Sequence, residues 1–387
     1  MTATTEQNKA LRVVFAGGGT GGHIMPALAV AQTLRARMPE ADILYIGTAD
    51  RMEAQIVPAA GFDFRTISVH GLAGRWTPAG LAKRLRGVAE IVSGLPIWQS
   101  LALLRRFRPD VVVGSGGYVC GPVIFAAWLL GIPALLIEQN EEIGNTSRMV
   151  TRYIRAAMVI SEKAGEYFRA RGVRTEAVGN PVRPVVLETT PAAGRTALQL
   201  DDHKCVLAIV GGSLGATPVN EAVSGALREL AKEAWFRDGW QIAHQVGAQR
   251  GGGLTDEEVR ALGLHYHQWG YLDEVHNLLA ASDLIITRAG GTFLAEIAAR
   301  GVPMVIIPGA WAANDHQTRN AAPFAAAGAA VVITDAELSV ERMLGVLREL
   351  LPDEARRTKM AKACLTLGRP EAAGRIVDIL LETANKK

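Results

Sequence analysis

The sequence predicts an α/β protein with two doubly wound parallel sheets. Short β-branched, apolar runs alternate with longer amphipathic stretches along the whole chain, which is typical of parallel α/β architecture. At 387 residues the chain exceeds the usual size of one hydrophobic core, so two domains are expected. Strand, glycine-rich loop and helix follow one another in RVVFAGGGTGGH and again in VLAIVGGSLGA, which indicates two similar domains.

Thirteen strands are predicted in two sets. The first set is RVVFA, DILYIG, FRTISV, DVVVG, PALLIE, AAMVIS and TEAVGN, and the second is CVLAIVG, QIAHQVG, HYHQWG, DLIITR, VPMVIIP and AAVVIT. The proline-rich stretch NPVRPVVLETTPAAGRTALQLDDHK between them lacks sustained periodicity and is interpreted as a linker. Domains are therefore expected at residues 1–182 and 183–367, with a C-terminal helix, 368–387, that packs back on the first domain.

Composition limits the function classes. Hydrophobic residues make up 49% and charged residues 20%, the balance of a soluble globular protein. A net charge of +3 is too small for a typical nucleic-acid-binding domain, so no nucleic-acid partner is expected. Cys120, Cys205 and Cys364 do not form a disulfide framework and indicate a reducing compartment. The longest apolar run, VIFAAWLLGIPALLI, is too short to span a bilayer, so a cytoplasmic location is expected.

The glycine-rich loop at residues 17–22 fits two nucleotide-binding patterns, each incompletely. It has the glycines of a dinucleotide fingerprint, but the second strand ends in Gly47 where that fingerprint requires an acid. It also has the glycine spacing of a phosphate loop, but His23 replaces the lysine, which argues against ATP hydrolysis. Amides at a helix N-terminus suit an anion or a closely approaching polar ligand. A tight turn without any ligand is the alternative.

His23 lies at the start of the first predicted helix. The positive end of the helix dipole favours a neutral imidazole, which can accept a proton near neutral pH. A histidine that caps the helix or packs in the core is an equal alternative on this residue alone.

Polar and glycine-rich loops also follow later strands, at residues 114–118, 138–140 and 211–216. In open α/β sheets ligands bind at the carboxyl ends of strands, so these loops are expected to line a crevice. The densest signal is DLIITRAGGTFLAEIAARG, in which Arg288 ends a strand, Gly291 opens a helix and Glu296 lies inside it. That helix start would hold a diphosphate, and the carboxylate would bind ribose hydroxyls. Together with His316, Gln317 and Asn320, the segment indicates a nucleotide-sugar site.

The motifs TGGH, TADRME, GGY, EQN, GNPVR, GGSLGA, RAGGTFLAE and HQTRNA occur in this order over nearly the whole chain. They resemble those of the lipid I N-acetylglucosaminyltransferases of bacterial peptidoglycan synthesis. The resemblance implies a type B glycosyltransferase fold, with two Rossmann-like domains facing a deep cleft. It implies UDP-N-acetylglucosamine as donor, undecaprenyl-linked lipid I as acceptor, lipid II as product, and no cofactor.

The resemblance also implies which residues bind substrate. Thr20, Gly21 and Gly22 would lie near the donor sugar or the acceptor diphosphate, and Asn140 would contact the donor sugar. The donor diphosphate would meet Arg183 and Ser213, in addition to Arg288, Gly291 and Thr292, which the helix start itself indicates. Uracil would be recognised by the backbone of Leu272, the ribose by Glu296, and the sugar hydroxyls by Gln317.

A basic segment at residues 64–109 carries eight Arg or Lys residues against one acid, Glu90. Leucine and valine recur in it at helical spacing, a pattern that suits an anionic membrane surface. A solvated helix whose leucines pack on the sheet is the alternative. Because the implied acceptor is a lipid, the cytoplasmic face of the inner membrane is favoured, with cell-wall synthesis proteins as candidate partners. The expected membrane contacts are Trp76, Leu81, Lys83, Arg84, Leu85, Arg86 and Val88.

The reaction is expected to be a direct displacement with inversion. The sequence has no Asp-x-Asp pair of the kind that holds a divalent metal, so helix amides and side chains are expected to stabilise the leaving diphosphate. His23 is the first candidate general base and Glu138 the second. The alternatives are a UDP-N-acetylglucosamine 2-epimerase, a glycosyltransferase acting on a soluble natural product, and a non-catalytic nucleotide-sugar sensor that docks on membranes.

Overall fold

A computed structural model describes residues 10–69, 93–212, 214–248, 251–309 and 316–385. The chain divides into two compact units, Met1–Arg183 together with Glu371–Lys387, and Pro184–Pro370. Each unit contains a parallel sheet flanked by helices, so the predicted architecture of two Rossmann-like α/β domains is confirmed.

The first unit contains, among its described residues, a seven-stranded sheet with the order β3-β2-β1-β4-β5-β6-β7. Its strands are β1 (Arg12–Ala16), β2 (Asp42–Gly47), β3 (Asp63–Thr66), β4 (Val111–Gly114), β5 (Ala134–Glu138), β6 (Ala156–Val159) and β7 (Arg174–Ala177). The central strands are buried on both faces, as parallel strands covered by helices must be. The chain winds outward in both directions from β1 and β4, so the carboxyl ends of these two strands form the switch point of the sheet.

The helices of this unit cover both faces of its sheet. They are α1 (Gly21–Arg37), α2 (Glu53–Ala59), α3 (Leu95–Phe107), α4 (Gly117–Leu129), α5 (Asn145–Val150), α6 (Glu162–Arg169) and the last helix of the chain, α17 (Ala372–Ala384). Helix α17 packs against α1, with Ile376 and Leu380 fully buried in the same core. Arg37 adds an ion pair of 2.7 Å to Asp378 across this contact.

The second unit repeats the same winding with the order β10-β9-β8-β11-β12-β13. Its strands are β8 (Cys205–Val210), β9 (Trp240–Gln245), β10 (Tyr266–Trp269), β11 (Leu284–Thr287), β12 (Met304–Ile306) and β13 (Ala330–Val332). Its helices are α7 (Pro184–Glu188), α8 (Pro191–Ala197), α9 (Thr217–Leu230), α10 (Ala234–Gly239), α11 (Asp256–Leu262), α12 (Val275–Ala281), α13 (Gly291–Arg300), α14 (His316–Ala326), α15 (Val340–Leu350) and α16 (Glu354–Leu367). Here the switch point lies between β8 and β11.

The stretch interpreted as a linker is instead folded beyond Arg183, where α7 and α8 belong to the second unit. Each helix begins at a proline, which fits the first helical position, and the Thr190 side chain caps α8 by accepting from the backbone nitrogen of Ala193. A Cβ at Gly194 would lie 2.4 Å from the carbonyl oxygen of Asn277 on α12, so α8 and α12 touch through their backbones. Helices α7 and α8 carry too few turns for a periodic apolar pattern to reveal them.

Candidate functional site

Two helices begin at the switch point of the first sheet. Helix α1 follows β1 through the loop at residues 17–20, and α4 follows β4 through Ser115 and Gly116. The loops lie against each other, because a Cβ at Gly117 would come within 2.3 Å of the Gly18 carbonyl oxygen. The predicted residues Thr20 and Gly22 are exposed and Gly21 is half-buried, so the start of α1 is accessible to a ligand.

His23 is the third residue of α1 and is half-buried. Its Nδ1 atom lies 3.1 Å from the carbonyl oxygen of Ser115 and 3.2 Å from Oε1 of Gln139. The Ser115 hydroxyl in turn donates to the His23 carbonyl oxygen at 2.6 Å. Three segments that are distant in sequence therefore fix this imidazole at the switch point.

Gly116 is required by the position of this ring. Its φ of +86° is rarely adopted by residues with a side chain. A Cβ there would also lie 2.7 Å from Nδ1 of His23, closer than van der Waals contact allows. The second glycine loop thus gives the imidazole room to approach the backbone.

Glu53, at the start of α2, is a site residue for which the sequence predicted no role. It is fully buried, and its Oε2 accepts a hydrogen bond of 3.2 Å from the backbone nitrogen of Gly19. Its Oε1 accepts from the backbone nitrogen and the hydroxyl of Thr48, at 3.2 and 2.7 Å. A carboxylate of the chain itself therefore holds the first glycine loop. The only signal in the sequence was the glutamate of TADRME, the motif that follows β2.

Glu138, the second candidate base, shapes the loop that follows β5. Its carboxylate accepts hydrogen bonds from the backbone nitrogens of Asn140 and Gly144, both at 3.2 Å, and it is nearly fully buried. Asn140 is half-buried and also donates to Glu138 through its side-chain amide at 3.4 Å. The two acids that follow Asn140 are engaged at the surface, Glu141 with Ser161 and Glu142 with Arg148.

In the second unit, α13 begins at the switch point with Gly290 as its N-cap and without a side-chain cap. Gln317 braces this turn, since its Oε1 accepts from the backbone nitrogens of Ala289 and Gly309, at 3.3 and 2.8 Å. The side-chain amide of Asn320 donates to the Ala289 carbonyl oxygen at 3.1 Å. The start of α14 thus holds the predicted diphosphate turn in place.

The predicted donor residues of β11 and α13 cluster at this turn. Gly291 opens the helix, Thr292 is buried beside it, and Glu296 is buried one to two turns further along. Arg288 is buried just after β11, where its guanidinium donates to the carboxylate of Asp335 at 2.5 Å and to the Ile307 carbonyl oxygen at 3.2 Å. The arginine therefore ties together the carboxyl ends of β11, β12 and β13.

Leu272 lines a cavity of about 600 Å³ in the second unit. The cavity is bordered by the end of β10, the turn before α12 and the end of α8, with Trp269 and His267 stacked 6.3 Å apart on its wall. Burial lowers the pKa of His267. The predicted uracil-recognising residue is therefore next to an open space bordered by aromatic and polar groups.

A buried network in β9 and α9 was not predicted. His244 is fully buried, with Nε2 3.1 Å from Oδ1 of Asn220 and Nδ1 2.7 Å from the Tyr266 hydroxyl. The Asn220 amide donates to the carbonyl oxygens of Val246 and Gly251. This network holds the start of the loop after β9. That loop lies against the glycine-rich loop at residues 211–216, because a Cβ at Gly247 would lie 2.1 Å from the Cα of Gly215.

The remaining predicted residues lie at the boundary of the first unit or outside the described residues. Arg183 is half-buried and ends the first segment of the first unit. Ser213 lies outside the described residues, as do the predicted membrane contacts Trp76, Leu81, Lys83, Arg84, Leu85, Arg86 and Val88. Within the described part of the chain, no helix is both long and apolar enough to cross a membrane. The same part contains no cluster of His, Cys, Asp or Glu arranged to hold a metal ion.

Comparison with known proteins identifies the family. The profile of the glycosyltransferase family 28 N-terminal domain matches residues 13–159, and that of the family's C-terminal domain matches residues 206–376. The chain belongs to glycosyltransferase family 28. Each match lies largely within one unit, and together the two matches cover most of the chain.

One relative in this family is the UDP-N-acetylglucosamine--N-acetylmuramyl-(pentapeptide) pyrophosphoryl-undecaprenol N-acetylglucosamine transferase of Desulforudis audaxviator. It is 39% identical, over 97% of this chain and 99% of the relative. Among solved structures, MurG of Acinetobacter baumannii is 28% identical with a TM-score of 0.70, over 96% of this chain and 99% of that one. The family 28 chain is thus similar to these proteins along their full length, and it is a glycosyltransferase with the type B fold.

The fold is also shared with enzymes of another reaction class. The UDP-GlcNAc 2-epimerase of Neisseria meningitidis, bound to UDP-GlcNAc, has a TM-score of 0.67 at 15% identity, over 96% of this chain and 100% of that one. At this identity the likeness concerns the fold alone.

Proposed function

We propose that the protein transfers N-acetylglucosamine from UDP-N-acetylglucosamine to the 4-hydroxyl of the muramoyl residue of lipid I, giving lipid II. The observation that carries this proposal is the 39% identity to the named transferase along 97% of the chain. The family resemblance of the motifs supports the same donor and acceptor. Transfer proceeds by direct displacement, with inversion at the anomeric carbon.

We assign proton acceptance to the first unit. The acceptor hydroxyl attacks the anomeric carbon while His23 takes its proton, a contribution of roughly 10²- to 10⁴-fold for a positioned general base. The half-buried imidazole at the accessible start of α1 supports this role. Glu138 is the second candidate, and its three loop hydrogen bonds favour a role in shaping the loop that carries Asn140.

We assign donor binding to the second unit. The start of α13, at Gly291 and Thr292, offers amides and a positive dipole end to the diphosphate that leaves with UDP. Glu296 binds the ribose, Gln317 the sugar hydroxyls, and the backbone of Leu272 the uracil. Ser213 completes the diphosphate contacts of this unit, whereas Arg288 acts through its pair with Asp335 at the same sheet edge.

We further propose that the first unit binds the anionic cytoplasmic surface of the inner membrane, where lipid I is presented. Besides the basic segment, two exposed tryptophans support this surface: Trp98 on α3, 65% exposed, and Trp128 on α4, 50% exposed. The two helices pack side by side. Tryptophan and basic residues together are typical of interfacial binding.

An assay of UDP release with and without lipid I tests the reaction. We expect release to depend on lipid I and lipid II to accumulate in equal amount. Release from the donor without acceptor would instead indicate the epimerase or a hydrolase, and donor binding without release would indicate a sensor. For the base, His23→Ala is expected to lower turnover at saturating substrate at least 100-fold, and nearly full turnover would exclude His23.

A further inference from the structure

Two independent observations fix which nitrogen of His23 carries the proton. The first is the carbonyl oxygen of Ser115, 3.1 Å from Nδ1. A backbone carbonyl oxygen can only accept a hydrogen bond, so Nδ1 must donate. The imidazole is then in the Nδ1–H form, and Nε2 carries the free lone pair.

The second observation is the side-chain orientation of Gln139. Its Nε2 donates to the carbonyl oxygens of Ser115 and Ile137, at 2.5 and 3.2 Å. The NH₂ group has acceptors on its own side, so the amide cannot be flipped, and Oε1 points at Nδ1 of His23 at 3.2 Å. The oxygen can only accept, which again requires a proton on Nδ1.

Gln139 is itself held rigidly. It is 2% exposed, and its own carbonyl oxygen accepts a hydrogen bond of 3.1 Å from the side-chain amide of Asn180. A buried amide with both ends engaged cannot rotate without leaving polar groups unsatisfied. The orientation of the imidazole is therefore built into the loop after β5.

We infer that Gln139 is a positioning residue that holds His23 as the Nδ1–H tautomer and aims the lone pair of Nε2 at the acceptor hydroxyl. This inference rests on the proposed function, in which His23 is the base. As the acceptor oxygen bonds to the anomeric carbon, its proton passes to Nε2. The bond from that carbon to the β-phosphate oxygen breaks, and its electron pair leaves with UDP.

The neutral partner also has a chemical consequence. In serine hydrolases a carboxylate stands at the same place and stabilises the imidazolium that forms. Here the two partners of Nδ1–H are neutral dipoles, so they orient the ring without the charge–charge interaction that a carboxylate adds.

The ¹⁵N resonances of the His23 ring test the tautomer in the resting enzyme without substrate, with assignment by loss of the signal in His23→Ala. We expect a pyrrole-type nitrogen at Nδ1 and a pyridine-type nitrogen at Nε2. The reverse pattern would overturn the inference whatever the activity. Conversely, a His23→Ala enzyme with full turnover would overturn the proposed role of His23 as the base and leave the tautomer result standing.

Two variants test the role of Gln139 in turnover. Gln139→Met, nearly the same size, is expected to lower kcat about tenfold while KM for the donor changes less than twofold, because the ring loses an orienting partner and not a substrate contact. Its ¹⁵N spectrum should keep the Nδ1–H pattern, since Ser115 still accepts, but with a shifted Nδ1 resonance, because Nδ1–H loses one of its two acceptors. Gln139→Glu removes the NH₂ group and sets an oxygen against the Ser115 carbonyl oxygen, so it is expected to lower kcat as well.

Gln241→Met is the matched control. Gln241 is also a fully buried glutamine whose amide donates to two carbonyl oxygens, those of Asp201 and Lys204, but it lies in the second unit at the start of β9. We expect it to lower stability and leave kcat and the His23 ¹⁵N resonances unchanged. If Gln139→Met kept both the kcat and the Nδ1 resonance of the parent enzyme, the positioning role would be refuted.

Discussion

The carboxylate of Glu53 lies 3.2 Å from the backbone nitrogen of Gly19, in the loop where a phosphate is expected in other glycine-rich folds. The residue is fully buried, and its second oxygen is occupied by Thr48. A ligand anion at the same amide would meet a like charge at short range. We therefore expect substrate groups to approach the start of α1 at Thr20 and Gly22, which are exposed, rather than at Gly19.

Removing this carboxylate should destabilise the first unit. Glu53→Ala leaves the amides of Gly19 and Thr48 and the Thr48 hydroxyl without their acceptor, at a cost of about 3 kcal/mol for the three groups together. Urea unfolding measures the loss, and kcat/KM should fall because the loop moves. The exposed Glu40, before β2, provides the control variant Glu40→Ala, which should change neither quantity. Equal stability of the two variants would contradict the loop-holding role.

A methyl group at Gly116 should displace His23. Gly116→Ala combines a strained φ of +86° with a Cβ 2.7 Å from the imidazole. We expect kcat to fall at least 100-fold, as for loss of the base itself. Gly121→Ala, further along α4, places its Cβ no closer than 3.7 Å to its nearest neighbour and should keep its activity. Similar kcat values for these two variants would show that the ring does not depend on this close approach.

The stability of the second unit should depend on pH through His244. Burial lowers the pKa of this imidazole to about 3, from 6.5. As pH falls below 6.5, His244 binds a proton in the unfolded chain but not in the folded chain. The free energy of unfolding therefore decreases by up to about 1.4 kcal/mol per pH unit. Protection of the β9 amides in urea, measured between about pH 5 and 7, should show this slope.

His244→Gln isolates the contribution, because glutamine does not titrate. We expect its stability to change less over the same pH range than that of the parent. The range from about pH 5 to 7 also lies above the pH values at which Glu258 changes stability. The pKa of Glu258 is lowered to about 2, first by its hydrogen bond with the Thr255 backbone and then by Arg228. Its stabilisation is present above about 4.5 and is lost only as pH falls below that value. Parallel curves for parent and variant would exclude His244 as the source of the slope.

Turnover should survive exhaustive chelation. The leaving diphosphate is proposed to be stabilised by the start of α13 and by side chains, which lose nothing when divalent ions are removed. We expect kcat with lipid I to change less than twofold in excess EDTA. A loss of turnover that only magnesium or manganese restores would require the donor site to be redrawn around a metal ion.

Binding to anionic vesicles should depend on the exposed tryptophans of the first unit. The double variant Trp98→Gln, Trp128→Gln is expected to weaken binding to phosphatidylglycerol vesicles about tenfold or more, since each ring contributes buried apolar area at the interface. Trp235→Gln is the control, because Trp235 is 38% exposed but lies on α10 of the second unit. Equal vesicle binding by the double variant and the control would place the membrane contact elsewhere.

The sequence by itself determined the two parallel sheets, because buried strands are continuous apolar runs whose pattern depends only on near neighbours in the chain. It also located the loops at the strand ends, since glycine and polar residues interrupt that pattern, and it pointed to His23, Glu296 and Gln317. The short helices α7 and α8 escaped prediction because they are too short for a helical period to show.

Only the tertiary structure decided how these residues act. The tautomer of His23 depends on Ser115 and Gln139, which are 92 and 116 residues away in the chain, and the glycine loop depends on Glu53, 34 residues from Gly19. The ion pair between Arg288 and Asp335 also joins two segments that are distant in the chain. Hydrogen bonds between distant segments are set by how the sheet brings strand ends together, and no local pattern of residue types encodes that geometry.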